Sequence, residues 1–216
     1  MLAGPAAGQE GKLRPEVKVD RVLFLGNSIT RHGQAPKIGW NSDWGMAASA
    51  LEKDYVHLVA AGLAELAGKK PEVMVANIAD FERNLATYDV DARLKAEIDF
   101  KPTLVIVAIG ENVPALGSEE AKAQFRTGLK KLLGSVKGST LLVRSSFWAD
   151  QSKDDLLKEA CLAAGGTFVD IGALGKDESN YARAERKFEH AGVAAHPGDK
   201  GMKAIAGAIL VALKGK

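Results

Sequence analysis

Ser28, Asn112 and His196 are the residues of this chain whose types could do chemistry together. A serine hydroxyl is a weak nucleophile until a base takes its proton, and histidine suits that task because its ordinary pKa lies near neutrality. An acyl carbonyl under attack develops negative charge on oxygen, which needs hydrogen-bond donors set in advance. The backbone N–H of Ser28, the side-chain amide of Asn112 and a backbone N–H from Ala79 or Asp80 are the candidate donors. Of the 4 histidines, His57 falls within a helical pattern, where a surface residue is the ordinary reading. His32 follows Ser28 closely enough to line the same pocket, and His190 lies further from the start of the last helix. His196 comes just before that helix, with Pro197 and Gly198 aiming the segment and Asp199 read as its cap. The alternative for His196 is a local hydrogen bond at a helix entry, and for Asn112 an ordinary turn.

These residues converge only if the elements bring them to one edge. A first strand is expected over residues 21–25, where the apolar run from Val22 to Leu25 stops at Gly26, as a buried strand leaving its sheet would. Further strands are expected at 73–78, 103–109, 140–143 and 167–170, and helices at 55–67, 90–100, 118–133, 153–164 and from Asp199 to Leu213. Strands alternating with helices imply βαβ units: five parallel strands covered on both faces. In such a sheet every strand ends, and every following helix begins, at one edge, where ligands bind. Ser28, Asn77 to Asp80, Asn112 and Trp148 all follow strands, and His196 precedes a helix, so all fall on that edge.

Residues 31–49 have no regular period but carry His32, Trp40, Asp43 and Trp44. An irregular excursion of this length after a strand end is usually functional or disordered, and two tryptophans argue against disorder. Asn27, His32, Trp40, Trp44, Asp80 and Trp148 are the expected pocket residues, the tryptophans as a sugar-stacking platform, an acyl pocket or simply core.

Composition removes several classes. The 29 basic and 27 acidic residues are scattered, giving a formal charge of +2 and no nucleic-acid footprint. The single cysteine, Cys161, excludes an internal disulfide and a cysteine-rich metal site, and it reads as an inert buried thiol. No apolar run is long enough to span a bilayer. No metal cluster is visible, and the proposed chemistry requires no cofactor. The expected organisation is a flexible tail over residues 1–16 and one domain over 17–216. The small, uncharged start fits a trimmed signal peptide, hence a secreted or periplasmic protein, as well as a native disordered terminus of a cytoplasmic one.

Gly26-Asn27-Ser28-Ile29-Thr30 resembles the Gly-Asp-Ser first block of the SGNH/GDSL hydrolases. Gly110-Glu111-Asn112 resembles their Gly-x-Asn block, and His196-Pro197 their histidine block. The resemblance runs through essentially the whole domain. It implies a three-layer αβα fold of flavodoxin-like type and hydrolysis of acyl esters, commonly on carbohydrates or lipids. Ser28 is then the nucleophile, His196 the base and Asn112 an oxyanion donor. Three positions depart from the pattern. Asn27 stands where the family has aspartate, residues 77–81 lack its second-block glycine, and Val193 occupies the place of its acid three residues before the histidine. The imidazole then needs another orienter: a backbone carbonyl in a Ser-His dyad, or a carboxylate from Glu189, Glu111 or Asp43. The leading expectation is a serine esterase acting on small acyl esters or acylated sugars. A carbohydrate-binding relative with impaired chemistry is the alternative, and a flavodoxin-like nucleotide or flavin binder ranks last for want of a glycine-rich phosphate loop.

Overall fold

The computed structural model describes residues 11–215. Its centre is a parallel sheet of five strands in the order β2-β1-β3-β4-β5. These are β1 (Arg21–Gly26), β2 (Glu72–Asn77), β3 (Leu104–Ala108), β4 (Thr140–Arg144) and β5 (Thr167–Val169). Register follows the apolar runs: Leu23 lies beside Met74 on one side and Val105 on the other. β1 and β3 occupy the interior of the sheet and are buried almost throughout, as strands covered on both faces must be.

One face packs on α1 (Tyr55–Ala67) and α8 (Asp199–Leu213), through Val22, Phe24, Ile106, Val59, Leu63, Ile205 and Ile209. The other packs on α5 (Glu119–Ser135) and α6 (Gln151–Ala163), where Leu23, Leu25, Val105 and Val107 meet Phe125, Leu129, Leu157 and Cys161. Cys161 is buried, and desolvation pushes its thiol up to about 11, so it is not a reactive thiolate. Three short helices, α2 (Ala79–Arg83), α3 (Val90–Arg93) and α4 (Lys95–Asp99), follow β2, and α7 (Ala191–Ala194) precedes α8. The fold is thus the expected three-layer αβα arrangement. The helix expected over 90–100 is broken at Leu94, which lies between α3 and α4.

Of the expected tail, residues 1–10 lie outside the described residues, and residues 11–16 run beside the end of α8. Leu13 bridges to Lys214, the Arg14 amide donates to the Leu213 carbonyl and the Gly215 amide to that of Lys12. Residues 12–14 thereby contact residues 213–215.

Candidate active site

β1 ends because its last residue must be glycine. A Cβ on Gly26 would overlap the Thr30 side chain and lie 2.9 Å from the Ala108 carbonyl. The chain then turns on Asn27, whose backbone carbonyl accepts from Thr30 and Arg31 at 2.9 and 3.0 Å and whose Oδ1 accepts from the Ile29 amide at 3.2 Å. This turn lifts Ser28, half-buried, above the sheet edge.

Ser28 Oγ lies 2.8 Å from His196 Nε2, and His196 Nδ1 lies 2.7 Å from the Gly192 carbonyl oxygen. A carbonyl can only accept, so Nδ1 carries the proton and the Nε2 lone pair faces the Ser28 hydroxyl. His196 is 8% exposed, and burial lowers its pKa below 6.5, partly opposed by the Gly192 hydrogen bond. The His196 backbone is itself pinned, its carbonyl accepting from the Ala182 amide at 2.8 Å. Trp148 meets the imidazole edge-on, with ring centres 5.4 Å apart.

None of the carboxylates considered in the sequence holds His196. Glu111 is turned into the protein, where Oε1 accepts from Arg144 at 2.6 Å and from the Phe147 amide at 2.9 Å, and Oε2 accepts from Asn27 Nδ2 at 2.7 Å. Glu189 is exposed, and Asp43 pairs with Arg31 at 2.7 Å. Val193 is 1% exposed in a small apolar cluster with Trp40, Met46 and Ala182, so an acid there would be buried against hydrocarbon.

The oxyanion candidates separate. The Ser28 amide makes no intramolecular hydrogen bond among the described residues. Asn112 keeps one side-chain N–H beyond the one it gives Glu82 Oε2 at 2.8 Å, and its Oδ1 accepts from Arg83 at 2.9 Å. The Ala79 amide is already spent on Asn77 Oδ1 at 2.9 Å, which removes it from the set.

Ser28, Asn112 and His196 open into a cavity of about 420 Å³, also lined by His32, Asn77, Asp80, Arg83 and His190. A larger cleft of about 610 Å³ lies between α5 and α6, distant from these groups. Of the pocket candidates, His32 and Asp80 line this cavity, whereas Asn27, Trp40, Trp44 and Trp148 do not. Asn27 is fully buried beneath Ser28. Trp40 is 6% exposed and donates to the His32 carbonyl at 2.9 Å; Trp44 stacks edge-on against it and donates to Ala48 at 3.1 Å. Trp148 packs behind the imidazole and against Phe147. The tryptophans therefore brace the loops and form no exposed platform.

Sequence reasoning missed the ionic cluster below the site. Glu82, on the unexpected helix α2, is fully buried and accepts from the Gly110 and Asn112 amides at 2.7 and 3.1 Å. Arg144, also fully buried, pairs with Glu111. Burial, then the charge of Glu111, raises the Glu82 pKa, whereas the Arg144 charge and donated hydrogen bonds outweigh burial at Glu111 and lower its pKa. The available signal was Arg144 itself, a cation directly after an apolar strand that must find a buried partner. Asp199 also corrects an expectation: it is the first residue of α8 and binds Ser49 and Lys53, while Glu185 accepts from the Asp199 and Lys200 amides and caps that helix.

No protein-family model and no curated protein sequence matches the chain. Solved structures do match in fold. A lipase/acylhydrolase from Enterococcus faecalis superposes with a TM-score of 0.59 at 16% identity, covering 88% of this chain and 93% of that one. A two-domain esterase active on acetylated mannans gives 0.57 at 15% identity over 89% of this chain, which spans 48% of that larger protein. A carbohydrate esterase described as having divergent catalytic and non-catalytic binding functions gives 0.55 at 10%, covering 90% and 64%. The chain thus shares the three-layer αβα fold of these proteins, a fold it also shares with GDSL-like lipases at 14–16% identity.

Proposed function

We propose that the protein is a serine hydrolase of small acyl esters, with acetylated carbohydrate as the favoured substrate class. The observation that carries this is the hydrogen bond from Ser28 to an imidazole whose tautomer is fixed by the Gly192 carbonyl. As the Ser28 oxygen attacks the ester carbonyl, His196 Nε2 takes the hydroxyl proton, and negative charge gathers on the former carbonyl oxygen. The Ser28 amide and the Asn112 side chain stabilise that charge. Collapse expels the alcohol, which recovers the proton from His196, and water then repeats the sequence on the acyl-serine to release the acid.

Loss of the triad aspartate's tautomer control in a serine protease costs about 10⁴ in turnover. A carbonyl on Nδ1 supplies the same tautomer and forgoes only the compensating negative charge on the imidazolium. A small, polar-lined cavity favours a short acyl group on a polar alcohol, and the matching folds include an esterase active on acetylated mannans. The test is hydrolysis of p-nitrophenyl acetate, butyrate and octanoate, with acetate release from acetylated mannan. The expected result is fastest turnover of acetate and none in Ser28→Ala.

A second reading, carbohydrate binding with little chemistry, is favoured by the apolar Val193 where an acid would serve His196. Saturable binding of deacetylated oligosaccharide without cleavage of any short ester would select it.

A further inference from the structure

We propose that Glu82 and Arg83, consecutive residues of α2, act as a clamp that fixes which end of the Asn112 amide faces the reacting ester. The two residues grip opposite ends of that amide. Glu82 Oε2 accepts from Nδ2 at 2.8 Å, Arg83 donates to Oδ1 at 2.9 Å, and Glu82 Oε1 also accepts from the Asn112 backbone amide at 3.1 Å. Rotating the amide by half a turn would set Oδ1 against a carboxylate and the NH2 group against a guanidinium, so both contacts would fail. The clamp therefore turns Oδ1 toward Arg83 and leaves one Nδ2 proton for the site. The groups that meet Glu82 are all donors: the Gly110 and Asn112 amides and the side chains of Asn112 and Asn27.

This role rests on the reading of Ser28 as nucleophile, and it makes a prediction opposite in sign to simple electrostatics. A buried carboxylate near a developing oxyanion opposes its charge, so neutralising Glu82 without other effect would speed the reaction. Positioning demands the reverse. In Glu82→Gln the remaining Oε1 still serves both backbone amides, while the new Nε2 confronts Asn112 Nδ2, donor against donor. Asn112 must then turn away or flip.

The experiment is a double-mutant cycle of Glu82→Gln and Asn112→Ala with p-nitrophenyl acetate. Alone, Glu82→Gln is expected to lower kcat by about 10²-fold, the cost of one oxyanion donor, with KM little changed. In the Asn112→Ala background the same change is expected to cost less than about 3-fold, because the residue it acts through has gone. Equal losses in both backgrounds, or unchanged or faster turnover in Glu82→Gln, would overturn the clamp.

Nuclear magnetic resonance of the Asn112 side-chain amide separates this outcome from failure of the esterase reading. Two well-separated Nδ2 protons in wild type, one slow to exchange, support the clamp even if Ser28→Ala retains wild-type rates. A single rapidly exchanging pair in wild type overturns it, including where Glu82→Gln does not fold.

Discussion

Asn27→Asp would complete the Gly-Asp-Ser block that residues 26–28 resemble, and it is expected to destabilise the protein in a strongly pH-dependent way. Asn27 Nδ2 lies 2.7 Å from Glu111 Oε2 and 3.4 Å from Glu82 Oε1, so the amide is the donor that lets two carboxylates share a buried site. An ionised aspartate there would replace attraction by repulsion. At those separations, with an effective dielectric of about 20, each pair would cost roughly 5–6 kcal/mol, enough that the introduced carboxyl stays protonated instead. From an ordinary pKa of about 3.9, keeping the proton costs about 5.5 kcal/mol at pH 8 but only about 1.5 at pH 5. The sign follows from linkage. The folded form holds the proton while the unfolded form has lost it, so the penalty grows as pH rises. For a chain of this size about 2–4 °C of Tm accompanies each kcal/mol, giving a deficit of roughly 11–22 °C at pH 8 and 3–6 °C at pH 5 relative to wild type at the same pH. Thermal melts of both proteins at the two pH values decide it. A deficit under about 2 °C, or one equal at both pH values, would refute the assignment of Asn27 as the donor between Glu82 and Glu111.

Other consequences are testable with simple variants. Burial lowers the His196 pKa below 6.5, so kcat/KM is expected to rise with pH through a single acid limb below that value, measured with an ester stable in acid; a limb at or above 6.5 would contradict it. Glu189→Gln is expected to leave turnover within about 2-fold, because the carbonyl of Gly192 holds Nδ1; a 10-fold loss in steady-state rate would make Glu189 the orienter. Glu111→Gln strands the Arg144 guanidinium, whose Nε and Nη2 already lack partners, and is expected to cost about 3–5 kcal/mol in urea unfolding.

The layers and the edge on which the site lies were legible because they follow from short-range rules. The apolar runs of β1 and β3 marked buried parallel strands, and parallel order sends every strand end to one edge. That sufficed to bring Ser28 and His196 together across 168 positions. What failed depended on where one polar side chain turns. Glu111 follows β3, as a ligand-edge residue would, yet Arg144 draws it inward. Trp40 and Trp44 lie on the active-edge excursion, but their N–H groups find loop carbonyls and their rings each other. Ala79 loses its candidacy to Asn77 Oδ1, a hydrogen bond two residues long that no periodicity reports. α2 was missed because five residues are too few for a helical period, and Glu82 went with it.

The most direct test of the central claim is intact-protein mass spectrometry after exposure to a fluorophosphonate, which adds irreversibly to an activated serine. Wild type is expected to gain one adduct, mapped to Ser28 by peptide sequencing, with His196→Ala labelled at least about 10²-fold more slowly and Ser28→Ala not at all. Equal labelling of Ser28→Ala and wild type, or no adduct on wild type, would contradict a nucleophilic Ser28 activated by His196.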